Sequence, residues 1–404
     1  MSAVTTASPV GDAAPDAGVR TTIFLLALAG FFSGVGLRIC DGLIPRIARD
    51  FGLTAGTAGQ VMLTYSVAYG LSQLAFGPLG DRWGKARMVC ISVLGCGLAA
   101  MVCALASSFA GLLAIRAAWG IAAAGVVPLS LAFVGDAVPY EQRQATLAKM
   151  LMGMMVGMTA GQAAGGMFGD WAVGWRGAFA TVGAGFLVVG ALLLLRLRST
   201  ASVAAARPPA RGSMLRQMGA IVAVPWARVV LAGALIEGVF LLGTLAFLPA
   251  FLHQRFGVSL SQAGLLVAPY AVGGFVYAVL APHLVRRIGE RRMAAIGGVM
   301  MGLGFLALYL SPVAVLAAPI CLAIGFGTYL YHNTLQTNAT QMVPASRGTA
   351  MSCFAFCFFT GQAIGVSLSG FALDHGGPAP LLLLPAVALP LVGWWFARGL
   401  GRRG

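Results

Sequence analysis

The chain has 404 residues, of which 59% are hydrophobic and 9% charged. Soluble domains carry about a quarter charged side chains, so this composition excludes an ordinary soluble enzyme; its hydrophobicity also excludes an acidic disordered chain. The 56 glycines fit closely packed membrane helices instead, and the formal charge of +15 gains meaning only from where the basic residues lie.

A membrane-crossing helix needs roughly 20 mostly apolar residues. In chain order, such segments are predicted at 22–46, 57–80, 88–107, 109–137, 145–169, 177–195, 229–251, 262–284, 293–310, 313–337, 348–372 and 379–397. The fold expected is therefore an all-α membrane protein of 12 transmembrane helices in two six-helix halves. Residues 1–20, rich in Ala, Thr, Ser, Pro and Asp, read as a disordered cytoplasmic tail. Residues 21–195 form the first half and 196–228 a linker containing Arg207-Pro208-Pro209 and no acid. Residues 229–404 form the second half with a short basic tail. The first span is expected to serve as its own membrane address.

The basic residues sort by side. With both termini inside, 20 of the 26 Lys and Arg fall in cytoplasmic segments, only Arg46, Arg49, Arg176 and Arg255 fall outside, and Arg38 and Arg116 lie within spans. This is the positive-inside pattern, and it accounts for the charge without a nucleic-acid partner. Attraction to anionic lipid is the remaining consequence. All seven cysteines lie in predicted spans, with no Cys-x-x-Cys pair, and only four histidines occur. Neither a disulfide framework nor a metal site is expected. No zinc-protease, nucleotide-loop or nucleophile-elbow motif is present, so no cofactor and no enzymatic activity are expected. Uphill movement of a solute would have to draw on an ion gradient.

The halves repeat at an offset near 205. Phe51-Gly52-Leu53-Thr54 matches Phe256-Gly257-Val258-Ser259, and Gly59 and Tyr65 match Gly264 and Tyr270. Gly84, Arg87 and Met88 match Gly289, Arg292 and Met293, and Val138-Pro139 matches Val343-Pro344. Parallel repeats of this kind build transporters that rock around a midplane site.

Residues 77–89 read Gly-Pro-Leu-Gly-Asp-Arg-Trp-Gly-Lys-Ala-Arg-Met-Val, after the second span. They resemble the signature loop G-x-L-a-D-r-x-G-r-k of the major facilitator superfamily. Gly77, Leu79, Asp81, Arg82 and Gly84 stand where the family has them, Lys85 replaces an Arg, and Ala86 departs from a basic position. The resemblance implies a gating loop at the inner surface, in which Asp136 pairs with Lys85 or Arg82; a solvated helix-end carboxylate is the alternative. The second-half echo puts Arg286 in place of Asp81.

Arg38 and Asp41 share one face of the first span at i, i+3 spacing. A charge in the bilayer costs about 2.5–3.5 kcal/mol on insertion scales, so each needs a partner or a wet cavity. Asp41-Gly42-Leu43-Ile44-Pro45 resembles the D-x-x-x-P of twelve-span drug:proton antiporters of the bicyclomycin and chloramphenicol resistance type. That resemblance implies proton coupling at Asp41; a static Arg38–Asp41 pair is the alternative. Arg116 opens a run resembling the R-x-x-x-G motif of the same branch, which implies interaction with the proton-carrying acid.

Glycines recur every fourth residue from Gly153 through Gly157, Gly161 and Gly165 to Gly169. With Gly166 they form a bare face for helix packing, and they resemble the antiporter motif g-x-x-x-G-P-x-x-G-G with Gln162 in place of proline. Glu237 is the one acid within a second-half span, a second proton site or a satisfied polar contact. His332, Asn333, Gln336 and Asn338 read as a hydrated helix end. Tyr65, Tyr69, Trp119, Phe240, Tyr270 and Tyr329 are candidates, with Arg38, Asp41 and Glu237, to line the substrate cavity.

Together these features point to a monomeric, proton-coupled carrier of the inner membrane that exports small organic molecules. Two alternatives stay open. One is a symporter or uniporter importing an organic anion, favoured by Arg38 and Arg116. The other is a non-transporting membrane sensor or scaffold.

Overall fold

The computed structural model describes residues 17–199, 214–344 and 347–402. The tail up to residue 16 and linker residues 200–213 lie outside the described residues. Among the described residues, ten helices are long and apolar enough to cross a membrane. Two more, Gln60–Trp83 (α4) and Tyr140–Asp170 (α8), pack among them and complete two six-helix halves.

The first half begins with α1, Ala17–Arg38, followed by the short α2, Ile44–Phe51, and α3, Ala55–Ala58. Next come α4 and α5, Lys85–Ala104. The fourth span is interrupted and consists of α6, Phe109–Ala123, and α7, Val126–Ala137. Then α8 and α9, Gly174–Ser199, close the half. After α10, Met214–Ala223, the second half begins with α11, Pro225–Glu237. A π-helical turn, Gly238–Leu242, joins α11 to α12, Gly243–Phe256. The remaining helices are α13, Leu260–Val267; α14, Pro269–Ile288; α15, Glu290–Leu310; α16, Ala317–Gln341; α17, Arg347–Phe371; and α18, Pro378–Gly401.

The first predicted span, 22–46, is therefore not one helix. It stops at Arg38, turns through residues 39–43, and restarts with Pro45 in the first turn of α2. Proline suits that position because its missing N–H has no helical partner to lose. The turn is wholly buried, with Ile39, Cys40, Asp41 and Leu43 all at 0% exposure.

Bare glycine faces set the helix packing. A Cβ added at Gly153, Gly157 or Gly161 of α8 would meet the carbonyl oxygen of Ala27, Phe31 or Val35 of α1 in turn, and one at Gly165 that of Ile39 just after it. The ladder thus lies on consecutive turns of the α1 backbone. A Cβ added at the next residue, Gly166, would instead meet the Leu260 carbonyl of α13 in the other half. In the second half, Gly361 and Gly365 of α17 lie on the carbonyls of Leu235 and Val239. With Gln162 where the resembled motif has proline, α8 runs unbroken for 31 residues.

The repeat reappears in the backbone. Gly52 and Gly257 have φ 65° each, and Gly84 and Gly289 have φ 87° and 76°. These left-handed positions, which glycine adopts without a Cβ penalty, hold matching turns at the two ends of each half.

Overpacking a close helix contact costs about 1–3 kcal/mol. Gly161→Leu is expected to lower the thermal unfolding midpoint of detergent-purified protein by several degrees. Gly135→Ala, where no neighbouring atom lies within 4 Å of an added Cβ, is expected to change it little.

Candidate functional site

The break after α1 brings Asp41 back toward its own helix. Arg38 Nη2 lies 2.8 Å from Asp41 Oδ2, and the two side chains are 2% and 0% exposed. Gln162 of α8 donates from Nε2 to the same oxygen at 3.3 Å. The residue that departs from the resembled motif thus supplies an amide to the buried acid. Asp41 Oδ1 and Arg38 Nη1 have no hydrogen-bond partner. The charges balance, but the hydrogen bonding is incomplete, a costly arrangement that calls for a functional reason.

Arg116 is fully buried and set among aromatic rings. Its guanidinium carbon sits 4.4 Å from the Tyr65 ring centroid and 4.8 Å from that of Trp119, while Nε donates to the Val61 carbonyl at 3.2 Å. Such a cation–π cage holds a charge without a carboxylate. The ion-pair partner of Asp41 is accordingly Arg38, with Arg116 one layer further away. Tyr65 stacks on Tyr69, and Tyr69 meets Phe359 of α17 at 4.4 Å, a contact between the halves.

In the second half Glu237 closes α11 immediately before the π-helical turn. It is 0% exposed, and His332 Nδ1 lies 3.1 and 3.0 Å from its two oxygens. Sequence reasoning gave His332 to a hydrated helix end. The signal it passed over was a histidine and an acid within spans of the same half. Asn338 donates to Glu290 Oε2 and to the Thr334 carbonyl, as a helix-end residue would. Tyr270 and Tyr329 lie within electrostatic reach of both Arg38 and Glu237. These two tyrosines therefore feel charged groups of both halves. Phe240 is placed differently. It lines a cavity of about 430 Å³ with Phe371, His375 and Pro380, apart from the central tyrosines.

At the end carrying Gly84, Lys85 Nζ forms an ion pair with Asp136. Arg82 is exposed and Gly77 faces open space. The side chain of Asp81 lies outside the described ones.

The opposite end carries two contacts that the sequence reading missed. Asp170, at the end of α8, accepts hydrogen bonds from the backbone N–H groups of Leu260 and Ser261 at 3.1 and 2.7 Å. Asp374, after α17, accepts from the Gly56 N–H at 3.0 Å and from Thr54 Oγ1 at 2.6 Å. Each acid reaches across to a helix start in the other half, where backbone donors are free. The repeat supplied the missing signal, since Asp374 follows Asp170 by 204 residues.

Partial burial pushes the Asp170 carboxyl up, but hydrogen bonds from Ser261 and Leu260 outweigh it and hold the carboxyl below its ordinary range. A depressed carboxylate pKa stabilises this contact above the unfolded value and loses that stabilisation as pH falls through the folded value. The contact is therefore expected to persist at neutral pH and to weaken only in acid. Hydrogen bonds to a charged group are worth about 1.5–3 kcal/mol each. In a background retaining only Cys40, Asp170→Asn with Asp374→Asn is expected to speed labelling of that buried thiol from this end at least about tenfold, the response to ~1.4 kcal/mol. Unchanged labelling would remove the latch role.

The family model described as Major Facilitator Superfamily matches residues 26–366, and the chain belongs to that family. It is a multi-pass membrane transporter. The chain is 26% identical over 380 residues to a chloramphenicol resistance protein of Streptomyces lividans, covering 91% of this chain and 94% of that protein. It is likewise 26% identical over 410 residues to a gallate transporter of Pseudomonas putida, covering 91% and 89%. Among solved structures, a bacterial homologue of the human lysosomal transporter Spinster, inward-facing and occupied, matches with a TM-score of 0.74 at 20% identity, over 95% of this chain and 97% of that one. A D-xylose–proton symporter also matches at 0.74, with 13% identity, over 94% and 96%.

Proposed function

We propose that this transporter exports small organic molecules in exchange for protons across a bacterial inner membrane. The observation carrying the reading is the buried Arg38–Asp41 pair, incompletely hydrogen-bonded at a helix break. The similarity to a chloramphenicol resistance protein supports the export direction. Both termini face the cytoplasm, and the protein works as a monomer surrounded by lipid.

The two halves rock about the midplane. In the outward-closed state the Asp170 and Asp374 contacts hold the outer ends together. The Lys85–Asp136 pair, with Gly77, Asp81, Arg82 and Gly84, belongs to the inner gate. Asp41 releases its proton inward, substrate takes its place in the cavity between Tyr65, Tyr69, Trp119, Tyr270 and Tyr329, and Asp41 reloads outside. Arg38 steadies the ionised carboxylate, and Arg116 adds positive potential from its aromatic cage. Glu237 is the proton carrier of the second half. Each proton entering yields about 2.3 kcal/mol per 100 mV of membrane potential. A pH gradient adds about 1.4 kcal/mol per unit.

One observation favours a second reading. The unpartnered Arg38 Nη1 offers a donor to a carboxylate, which would suit proton-coupled uptake of an organic anion. The similarity to a gallate transporter points the same way.

Asp41→Asn is the direct test. In cells, wild-type protein is expected to lower chloramphenicol accumulation, and the variant to lose that effect. In proteoliposomes the variant is expected to lose proton-driven flux at least about tenfold, equivalent to ~1.4 kcal/mol of lost coupling. It should retain substrate exchange at equal pH. Full proton-driven flux in the variant would remove Asp41 from coupling.

A further inference from the structure

The structure assigns Glu237 and His332 together as a second proton-binding unit, in which the histidine is a working partner. This deepens the proton-coupled reading of the transporter and rests on it.

A bare imidazole nitrogen and a carboxylate both present lone pairs and repel at 3 Å. His332 Nδ1 lies 3.0 and 3.1 Å from the two Glu237 oxygens, so a proton must lie between them. One proton is thus held whenever the pair is closed. With Glu237 ionised and His332 carrying only that proton, the pair has charge −1. A second proton, on Nε2 or on the carboxyl, makes it neutral. Burial opposes the charged state, so the second proton is the one gained and lost.

The surroundings keep the exchange local. Glu237 is fully buried, and His332 packs against Phe354 and Phe358 of α17 at ring distances of 5.7 and 4.9 Å. On α16 itself, Tyr329 and Tyr331 lie within electrostatic reach of Glu237, as does Tyr270 on α14. The nearest thiols on α17 are Cys353 and Cys357, on either side of Phe354 in sequence. Towards the helix end, Glu290 of α15 is engaged by Asn338. From the first half the charge in range of the same tyrosines is Arg38.

The two buried acids therefore differ in chemistry. The partner of Asp41 is a guanidinium that does not release its proton, so that pair moves between 0 and +1. The partner of Glu237 titrates, so that pair moves between −1 and 0. A lost proton at Glu237 leaves a negative site that a positively charged group can compensate. The π-helical turn 238–242 begins at the next residue, so charge change here falls on an irregular, adjustable stretch of backbone.

The test needs no transported substrate. Histidine can be labelled with ¹⁵N in the whole protein in lipid nanodiscs, where four histidines give four resolvable imidazoles. His332→Gln assigns the signal. In wild type, the His332 signal is expected to titrate with a midpoint that Glu237→Gln displaces by at least about one unit. Asp41→Asn is expected to displace it by less than half of that. A midpoint unmoved by Glu237→Gln, or an imidazole signal that does not titrate, would overturn the pair. A displaced midpoint in a protein whose transport proves independent of pH would retain the pair and overturn the proton-coupled reading instead.

Discussion

An ion pair in the middle of a membrane protein constrains everything around it. Arg38 and Asp41 are held 2.8 Å apart with almost no exposure. Insertion of either charge alone would cost about 2.5–3.5 kcal/mol, so the pair must be made and kept. Helical geometry alone brings i and i+3 side chains to one face, but here the helix stops at Arg38. The turn that follows carries Asp41 and exposes backbone groups that lipid could not satisfy. That turn therefore has to be buried in protein. The glycine ladder of α8 buries it, and Gly42 sits where an added Cβ would meet the backbone of Gly165 and Gly166. Gln162 directly follows Gly161 of that ladder. Close packing and polar chemistry are thus one feature of α8.

The second half meets the same demand in a different way. Its first helix keeps helical hydrogen bonding but widens into a π-helical turn after Glu237. The glycines of α17 repeat the contact onto carbonyls seen in the first half. The buried acid takes a histidine from α16 where the first half takes an arginine from its own helix. Pseudo-symmetry is retained in backbone contacts and relaxed in the chemistry of the centre. The contacts made by Asp170 and Asp374 sit between these extremes. Asp170 and Asp374 occupy equivalent positions and each meets a helix start, although one partner set includes the Thr54 hydroxyl.

Much of the fold was legible because bilayer thickness imposes a length on every span. The repeat was legible because left-handed turns at Gly52, Gly84, Gly257 and Gly289 leave glycine as a trace. The Lys85–Asp136 pair followed from the resemblance of the loop around it. Interruptions were harder to read. The stretch around Asp41 is apolar enough to continue a helix, and what breaks it is Pro45 together with packing from α8. The neighbours of Arg116 were also hidden. Spacing placed it near the depth of Asp41, whereas three-dimensional packing gave it the faces of Tyr65 and Trp119. Asp170 and Asp374 were passed over because they fall just outside the apolar segments, where an acid needs no special explanation.

The central claim is that buried carboxylates exchange protons for substrate. The most direct measurement is the lumenal pH of proteoliposomes, reported by a trapped dye, as a transported organic substrate enters down its gradient. Exchange requires protons to leave as substrate enters, whichever way the protein is inserted. The account predicts that the lumen turns alkaline in step with substrate entry. Acidification, or entry with no pH change, would contradict it.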